Sequence, residues 1–221
     1  MAATGLREKE ENHLHSSMGE LREKTKQTTA LLTCVRAILE QRELGQAVRT
    51  ILDMCKSLVG ARSGYIALFN KERNDNEMLF LDLGDVPCQV DMNDPIPIRE
   101  LKQQVYRSGK PIWVNHFQES GWARSLPEGH VIQNNVAFIP IKVRGNVIGL
   151  LGLGNKLGGF TEDDVNLSLA FTDLVAIAFQ YDQALKQLNR SQRLETAGRI
   201  AGQVAHDTCH LHRADQETDT R

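Results

Sequence analysis

The chain has 221 residues, enough for one domain of about 120–150 residues with helical extensions, or for two small ones. Hydrophobic residues make up 41%, charged residues 24% and the net charge is -2, so the cationic excess that nucleic acid or an anionic membrane would draw on is missing. The longest apolar run, Leu174 to Phe179, falls far short of the roughly 20 residues of a membrane span, and Met1 to Gly5 leads into charge rather than a signal segment, which places the chain in the cytoplasm. Cys34, Cys55, Cys88 and Cys209 form no CxxC pair, so neither a disulfide framework nor a zinc knuckle is indicated.

From the N-terminus, Leu14, Met18, Leu21, Thr25, Thr28, Leu32, Val35 and Leu39 recur in alternating steps of four and three, the heptad spacing of a helix with a seam. Either the seam pairs with a second chain or it packs on the helix's own domain. Glu43 to Val59 follows with an apolar stripe of Leu44, Val48, Ile51, Leu52, Cys55, Leu58 and Val59, with Gly60 placed to cap it. The period then shortens. Tyr65 to Phe69 and Met78 to Leu83 read as a β-hairpin around Asp75, residues 84–97 as a Pro/Gly loop, and Arg99 to Arg107 as a short helix ended by Ser108-Gly109. After a short strand, Ile112 to Val114, the irregular stretch from Asn115 to Asn135 is too long for a simple connector. Val136 to Val143 and Val147 to Leu153 form a second hairpin about Arg144-Gly145-Asn146, and a helix begins near Thr161 on a threonine cap with acids in its first turn. No stop appears in it before about residue 207.

This order predicts an α+β fold, an antiparallel sheet with helices on one face and long loops on the other. The residues from about Leu31 to Phe179 resemble a GAF domain. The resemblance rests on Leu58-Val59-Gly60-Ala61, the strand Gly64 to Phe69, Ser108-Gly109-Lys110-Pro111, the hairpin from Ile139-Pro140-Ile141 to Ile148-Gly149-Leu150-Leu151, and Asn155-Lys156 before Phe160-Thr161. It implies a sensory or regulatory module, dimerising through terminal helices, with room for a small molecule between the sheet and its loops. The expected organisation is a helical coiled-coil extension over 1–30, the GAF domain over 31–180, a signalling helix over 181–207 and a polar disordered tail over 208–221.

The run Gln192-Arg193-Leu194-Glu195-Thr196-Ala197-Gly198-Arg199-Ile200-Ala201-Gly202-Gln203-Val204-Ala205-His206-Asp207 resembles the phosphoacceptor helix of sensor histidine kinases. The family's phosphorylated histidine falls on His206 and its acidic neighbour on Asp207. An imidazole nitrogen attacks the γ-phosphate of ATP, and the carboxylate holds the tautomer whose nitrogen is free. Thr208-Cys209-His210 then departs from the family pattern, and no ATP-binding domain follows, so the resemblance implies no kinase activity by this chain alone; a response regulator would be the partner of a full kinase. The seam through Leu174, Ile177, Tyr181, Ala184 and Leu188 gives way to one through Leu194, Ala197, Ala201 and Val204, shifted by one residue, so a register break is expected near 189–193.

Ligand contacts are expected from Trp113, Asn115, His116, Trp122 and His130, on or beside the long loop. Asn155-Lys156, Phe160 and Asp164 are similar to the signature of cyclic-nucleotide-binding GAF domains, with Val165 in place of its final glutamate, and that ligand is one alternative. A GAF-fold methionine sulfoxide reductase is another, but Cys88 lacks a resolving partner in the loop. A bilin or haem sensor would use Cys88, His116 or His130, and nothing in the sequence singles one out. No cofactor is expected. No metal is expected either, because His206, Cys209, His210 and His212 lack a second matching pair of ligands.

Overall fold

The computed structural model describes the backbone of residues 2–41, 43–70, 75–84, 96–97, 100–125 and 132–218, and the side chains of 13–41, 43–69, 78–84, 101–123 and 132–203. The chain divides into Met1–Phe179, which holds the domain, and Gln180–Arg221, the distal stretch of its last helix.

Helix α1 (Ala2–Glu40) leads into α2 (Leu44–Val59), whose predicted stripe is buried at Val48, Ile51, Leu52, Cys55 and Val59 and partly buried at Leu44 and Leu58, with Ala47 buried beside it. The left-handed cap is at Gly60, whose N–H donates to the Lys56 carbonyl at 2.8 Å. The sheet is built from β1 (Ser63–Asn70), β2 (Asp75–Asp82), β3 (Ile96–Pro97), β4 (Ile112–Val114), β5 (Val136–Val143) and β6 (Asn146–Gly154), with α3 (Glu100–Ser108) between β3 and β4. Its six strands are ordered β3-β2-β1-β6-β5-β4, with every pair antiparallel. Both expected hairpins are present. Arg144 and Gly145 have φ of 51° and 82°, the pair of positive values that matches a two-residue turn to strand twist. The two-residue β3 lies inside the stretch expected as loop, because two residues carry no period for a sequence to show.

Strand alternation puts Ile66, Ala137, Ile139, Ile141, Leu151 and Leu153 on one face, where they pack with Cys34, Val48, Ile51, Leu52, Cys55, Phe171 and Val175 of the helices. The opposite face carries a smaller core of Leu101, Phe117 and Val136, with Ile112, Val114, Trp122 and Phe138 packed against it. Two 3-10 turns, Phe117–Glu119 and Gly121–Ser125, belong to this side, so the long stretch after β4 is partly regular.

Helix α4 (Glu162–Thr218) starts on a reciprocal cap. The Thr161 N–H donates to Asp164 Oδ2 at 2.8 Å, and the Asp164 N–H returns to Thr161 Oγ1 at 3.3 Å. Its backbone stays helical through Thr218, so the disordered tail expected over 208–221 is helical to that point; no Gly or Pro interrupts the chain after Gly202.

The terminal helices are each two-faced. In α1, Ala30, Cys34, Ala37 and Ile38 are buried, whereas Leu14, Met18, Leu21, Leu32, Val35 and Leu39 are 39–67% exposed. At about 100° per residue these sets lie on opposite sides of the helix. In α4, Ser168, Phe171, Thr172 and Val175 are buried, and Ile177, Tyr181 and Leu188 of the predicted seam are 53%, 39% and 54% exposed on the other side. The domain therefore uses one stripe of each helix and leaves the heptad seam uncovered. Among the described residues, no helix is long and apolar enough to cross a membrane.

Candidate functional site

On the sheet face away from α1 and α2, strand register brings together residues distant in sequence. Tyr65 of β1 and Phe138 of β5 both pair with Gly152 of β6, and Ile112 of β4 continues the row beyond Phe138. A Cβ at Gly152 would lie 2.2 Å from Tyr65 Cε1, so the aromatic ring occupies space that only glycine leaves open. Above this row, α3 is anchored by Leu101 and Val105, 6% and 0% exposed, which turns Lys102 and Tyr106, one turn apart, toward the strands. Lys102 Nζ stands 5.3 Å from the Tyr65 ring centroid and 6.0 Å from that of Phe138. The Tyr106 ring lies 5.0 Å from that of Phe69, two positions beyond Ala67 on the same face.

The electrostatics of this cluster follow from burial. Two aromatic faces attract the Lys102 ammonium but do not replace its lost hydration, and burial takes its pKa from 10.5 down to about 8. Burial, and then the neighbouring Tyr106 phenol, push the Tyr65 hydroxyl well above its usual range, and that buried oxygen has no hydrogen-bond partner. Tyr106 is raised as well, by burial. Both phenols stay neutral while the amine titrates.

The residues singled out in the sequence are spread over different roles. Trp113 pairs with Ala137 in register, which directs it to the helix-facing side of the edge strand, where it is 38% exposed. Asn115 is a clip: its amide donates to the Phe160 carbonyl at 2.9 Å and accepts the Phe160 N–H at 2.7 Å. His116 is exposed just before the first 3-10 turn, and its carbonyl accepts the Glu119 N–H at 3.2 Å. Trp122 packs with Leu101, Phe117 and Val136, on the Lys102 side. Cys88 and His130 lie outside the described residues. His206 and Asp207 are on the α4 backbone, and their side chains lie outside the described ones.

The residues shared with the cyclic-nucleotide signature are engaged within the fold. Asn155, at φ 58°, accepts the Asn134 N–H at 2.8 Å and donates to the Ile132 carbonyl at 3.0 Å; Asn135 holds both backbone groups of Lys156 at 2.8 Å. Lys156 forms an ion pair with Asp164, and Phe160 is 3% exposed in the core. For Asp164, burial favours the neutral acid, but hydrogen bonds from Lys156 and Thr161 outweigh it and hold the carboxyl below its usual range. These side chains fasten the segment before β5 to the start of α4. Redox chemistry finds no thiolate in the helical core, because burial raises Cys34 to about 11 and Cys55 to about 12.

Comparison with known proteins gives the family to which this sheet order and two-sided core belong. The family model described as GAF domain matches residues 41–180, so the chain belongs to the GAF domain family. In structure it is similar to the GAF domain of a phosphoenolpyruvate-protein phosphotransferase from Acinetobacter, with TM-score 0.61 and 16% identity over 72% of this chain and 95% of that one. It is also similar to the free methionine-R-sulfoxide reductase of Neisseria meningitidis, solved with its substrate, with TM-score 0.59 and 14% identity over 72% and 91%. The GAF-B domain of DevS from Mycobacterium smegmatis gives TM-score 0.51 and 18% identity over 66% and 99%. At such identities the likeness is one of fold. None of the curated proteins compared with the chain matches it in sequence.

Proposed function

We propose that this chain is the sensory part of a cytoplasmic two-component signalling protein of the histidine-kinase kind, in which a small molecule on the α3 face of the sheet biases a homodimer built from α1 and α4. The supporting observation is the two-faced character of both helices: each spends one stripe on its own core and keeps an exposed seam of heptad spacing on the other side. In a four-helix bundle of two protomers those seams cover one another. Helix α4 runs without interruption from the core residues Phe171 and Val175 to the segment that resembles a phosphoacceptor helix, with His206 as acceptor and Asp207 as its orienting acid. A response regulator is then the downstream partner. Lys156, Asp164 and the Asn155 amide are committed to internal bonds, which disfavours a cyclic nucleotide held through that motif.

The test joins oligomeric state to signalling. Light scattering is expected to return a dimer at micromolar concentration, and Leu32→Glu with Leu39→Glu, both exposed in the protomer, to return a folded monomer. A chimera in which residues 1–205 precede the acceptor histidine and catalytic part of an active sensor kinase is expected to lose autophosphorylation with the same pair of changes. A wild-type monomer, or a chimera indifferent to the seam, would refute the reading.

A further inference from the structure

If, on the sensory reading above, a small molecule binds the α3 face of the sheet, the groups gathered there define its chemistry. We propose that this face binds a small organic carboxylate, its charged end held by the Lys102 ammonium and the Tyr65 hydroxyl and its apolar body lying along Phe138 beside the Leu101–Phe117–Val136 core.

Three observations converge on this class. First, among the described residues two other lysines have largely buried side chains, Lys56 and Lys156, 11% and 18% exposed, and each pairs with an aspartate, Asp82 and Asp164. Lys102 is set over two rings and, among the described residues, no carboxylate approaches it. A buried ammonium without a counter-ion is costly, and an incoming carboxylate supplies the missing charge. Second, the Tyr65 hydroxyl on the same row is buried and unpartnered, a donor for the second carboxylate oxygen. Third, Lys102 lies in the first turn of α3, the end at which the helix dipole favours negative charge.

The same inventory argues for a monoanion. One cation and one neutral donor match a carboxylate, whereas a phosphate dianion draws on arginine forks or several N–H groups. The rings of Tyr65 and Phe138 and the apolar cluster beside them suit a flat or hydrocarbon body. Among the described residues, the titratable groups facing Lys102 are Tyr65 from β1 and Tyr106 from its own helix, both held neutral, while Phe138 from β5 carries no charge. Burial alone therefore sets the amine near 8, and a bound carboxylate raises it by favouring the charged form.

The experiment uses acid and amide of the same shape: benzoate against benzamide and phenylacetate against phenylacetamide, by ligand-observed NMR on the full chain. The acids are expected to bind at least ten times more tightly than the amides. Lys102→Met, which removes a buried charge and keeps the volume, is expected to lose that preference, and Tyr65→Phe to weaken it. Equal binding of acid and amide, or acid binding that survives Lys102→Met, would overturn the carboxylate class and leave the sensory reading standing. Binding of none of the four would overturn the proposal at this site, and the sensory reading would then stand or fall on the dimer experiment.

Discussion

Replacing Lys102 by methionine should make the unliganded protein more stable. The amine is held at about 8 against an ordinary 10.5, a difference of about 2.5 pH units that at about 1.4 kcal/mol each corresponds to roughly 3 kcal/mol of penalty on the charged form in the folded state. The sign is fixed by proton counting. Below pH 8 the lysine is charged in both folded and unfolded chains and the full penalty applies; between 8 and 10.5 the unfolded chain binds the extra proton, so the lysine's own contribution to stability rises with pH. Methionine fills a similar volume without the charge and recovers about 1–3 kcal/mol at neutral pH, the methylene stem being buried already. At about 2–4 °C per kcal/mol for a domain of this size, the midpoint of thermal unfolding should rise by several degrees. Scans of wild type and Lys102→Met between pH 6.5 and 9.5 test this, because the buried thiols and phenols that titrate differently on unfolding are common to both proteins and cancel from the gap between them. The gap between the two should be widest below pH 8 and narrow above it. A variant less stable than wild type at pH 7, or a gap independent of pH, would show that the amine is well solvated or paired and that burial has been misjudged.

Asn115→Ala removes both hydrogen bonds to Phe160 and should cost about 1–3 kcal/mol, read as a lower urea midpoint at unchanged slope; an unchanged midpoint would mean that the clip is replaced by water at no cost. The carboxyls of Asp164 and Asp82 are both held below their usual range, Asp82 chiefly by its hydrogen bond from Lys56, so their stabilising contribution is present above an unfolded pKa of about 4 and is lost as pH falls through the folded values. Lys156→Met should destabilise the domain at pH 7 by several kcal/mol, because Asp164 is left largely buried without its cation, and should flatten the acid limb of the stability profile. An acid limb of wild-type steepness in that variant would remove Asp164 from the account.

What the sequence makes visible here is local. Gly60, the Arg144-Gly145 turn and the Thr161–Asp164 cap each carry their chemistry within a few residues, and each is found where its residues predict it. The stripe of α2 is equally direct, since 3.6-residue periodicity and burial are the same statement. The α3-face site is different because it is made by register. Tyr65, Gly152 and Phe138 form one row only because β6 lies between β1 and β5, pairings that span most of the domain and leave no local trace. The long loop drew attention to its own polar and aromatic residues instead. Its length explains why Asn115 is available, but not that the amide is turned back to hold Phe160. Trp113 illustrates the same limit: period two assigns it to one face of a strand, and only the partner Ala137 says which face that is.

Gly152 lies two residues before the end of β6, and the next segment, Asn155 to Thr161, is fixed at both sides by asparagine amides before α4 begins. The row under Lys102 and the cap of α4 are therefore connected by a short path, anchored to the segment before β5 at Asn155 and Lys156 and to Asn115 at Phe160, with the exposed Leu157 and the two positive-φ glycines Gly158 and Gly159 between these anchors. The path ends at the reciprocal cap and the Lys156 ion pair, so the first turn of α4 is the element that must either follow β6 or give up hydrogen bonds to Asp164. Packed cores resist continuous deformation, and a helix whose buried stripe and exposed seam lie on opposite sides moves both together when its first turn moves. On the proposed dimer, a signal from a ligand at Lys102 to the seam would run through β6, the turn held by Asn135 and Asn115, and the first turn of α4.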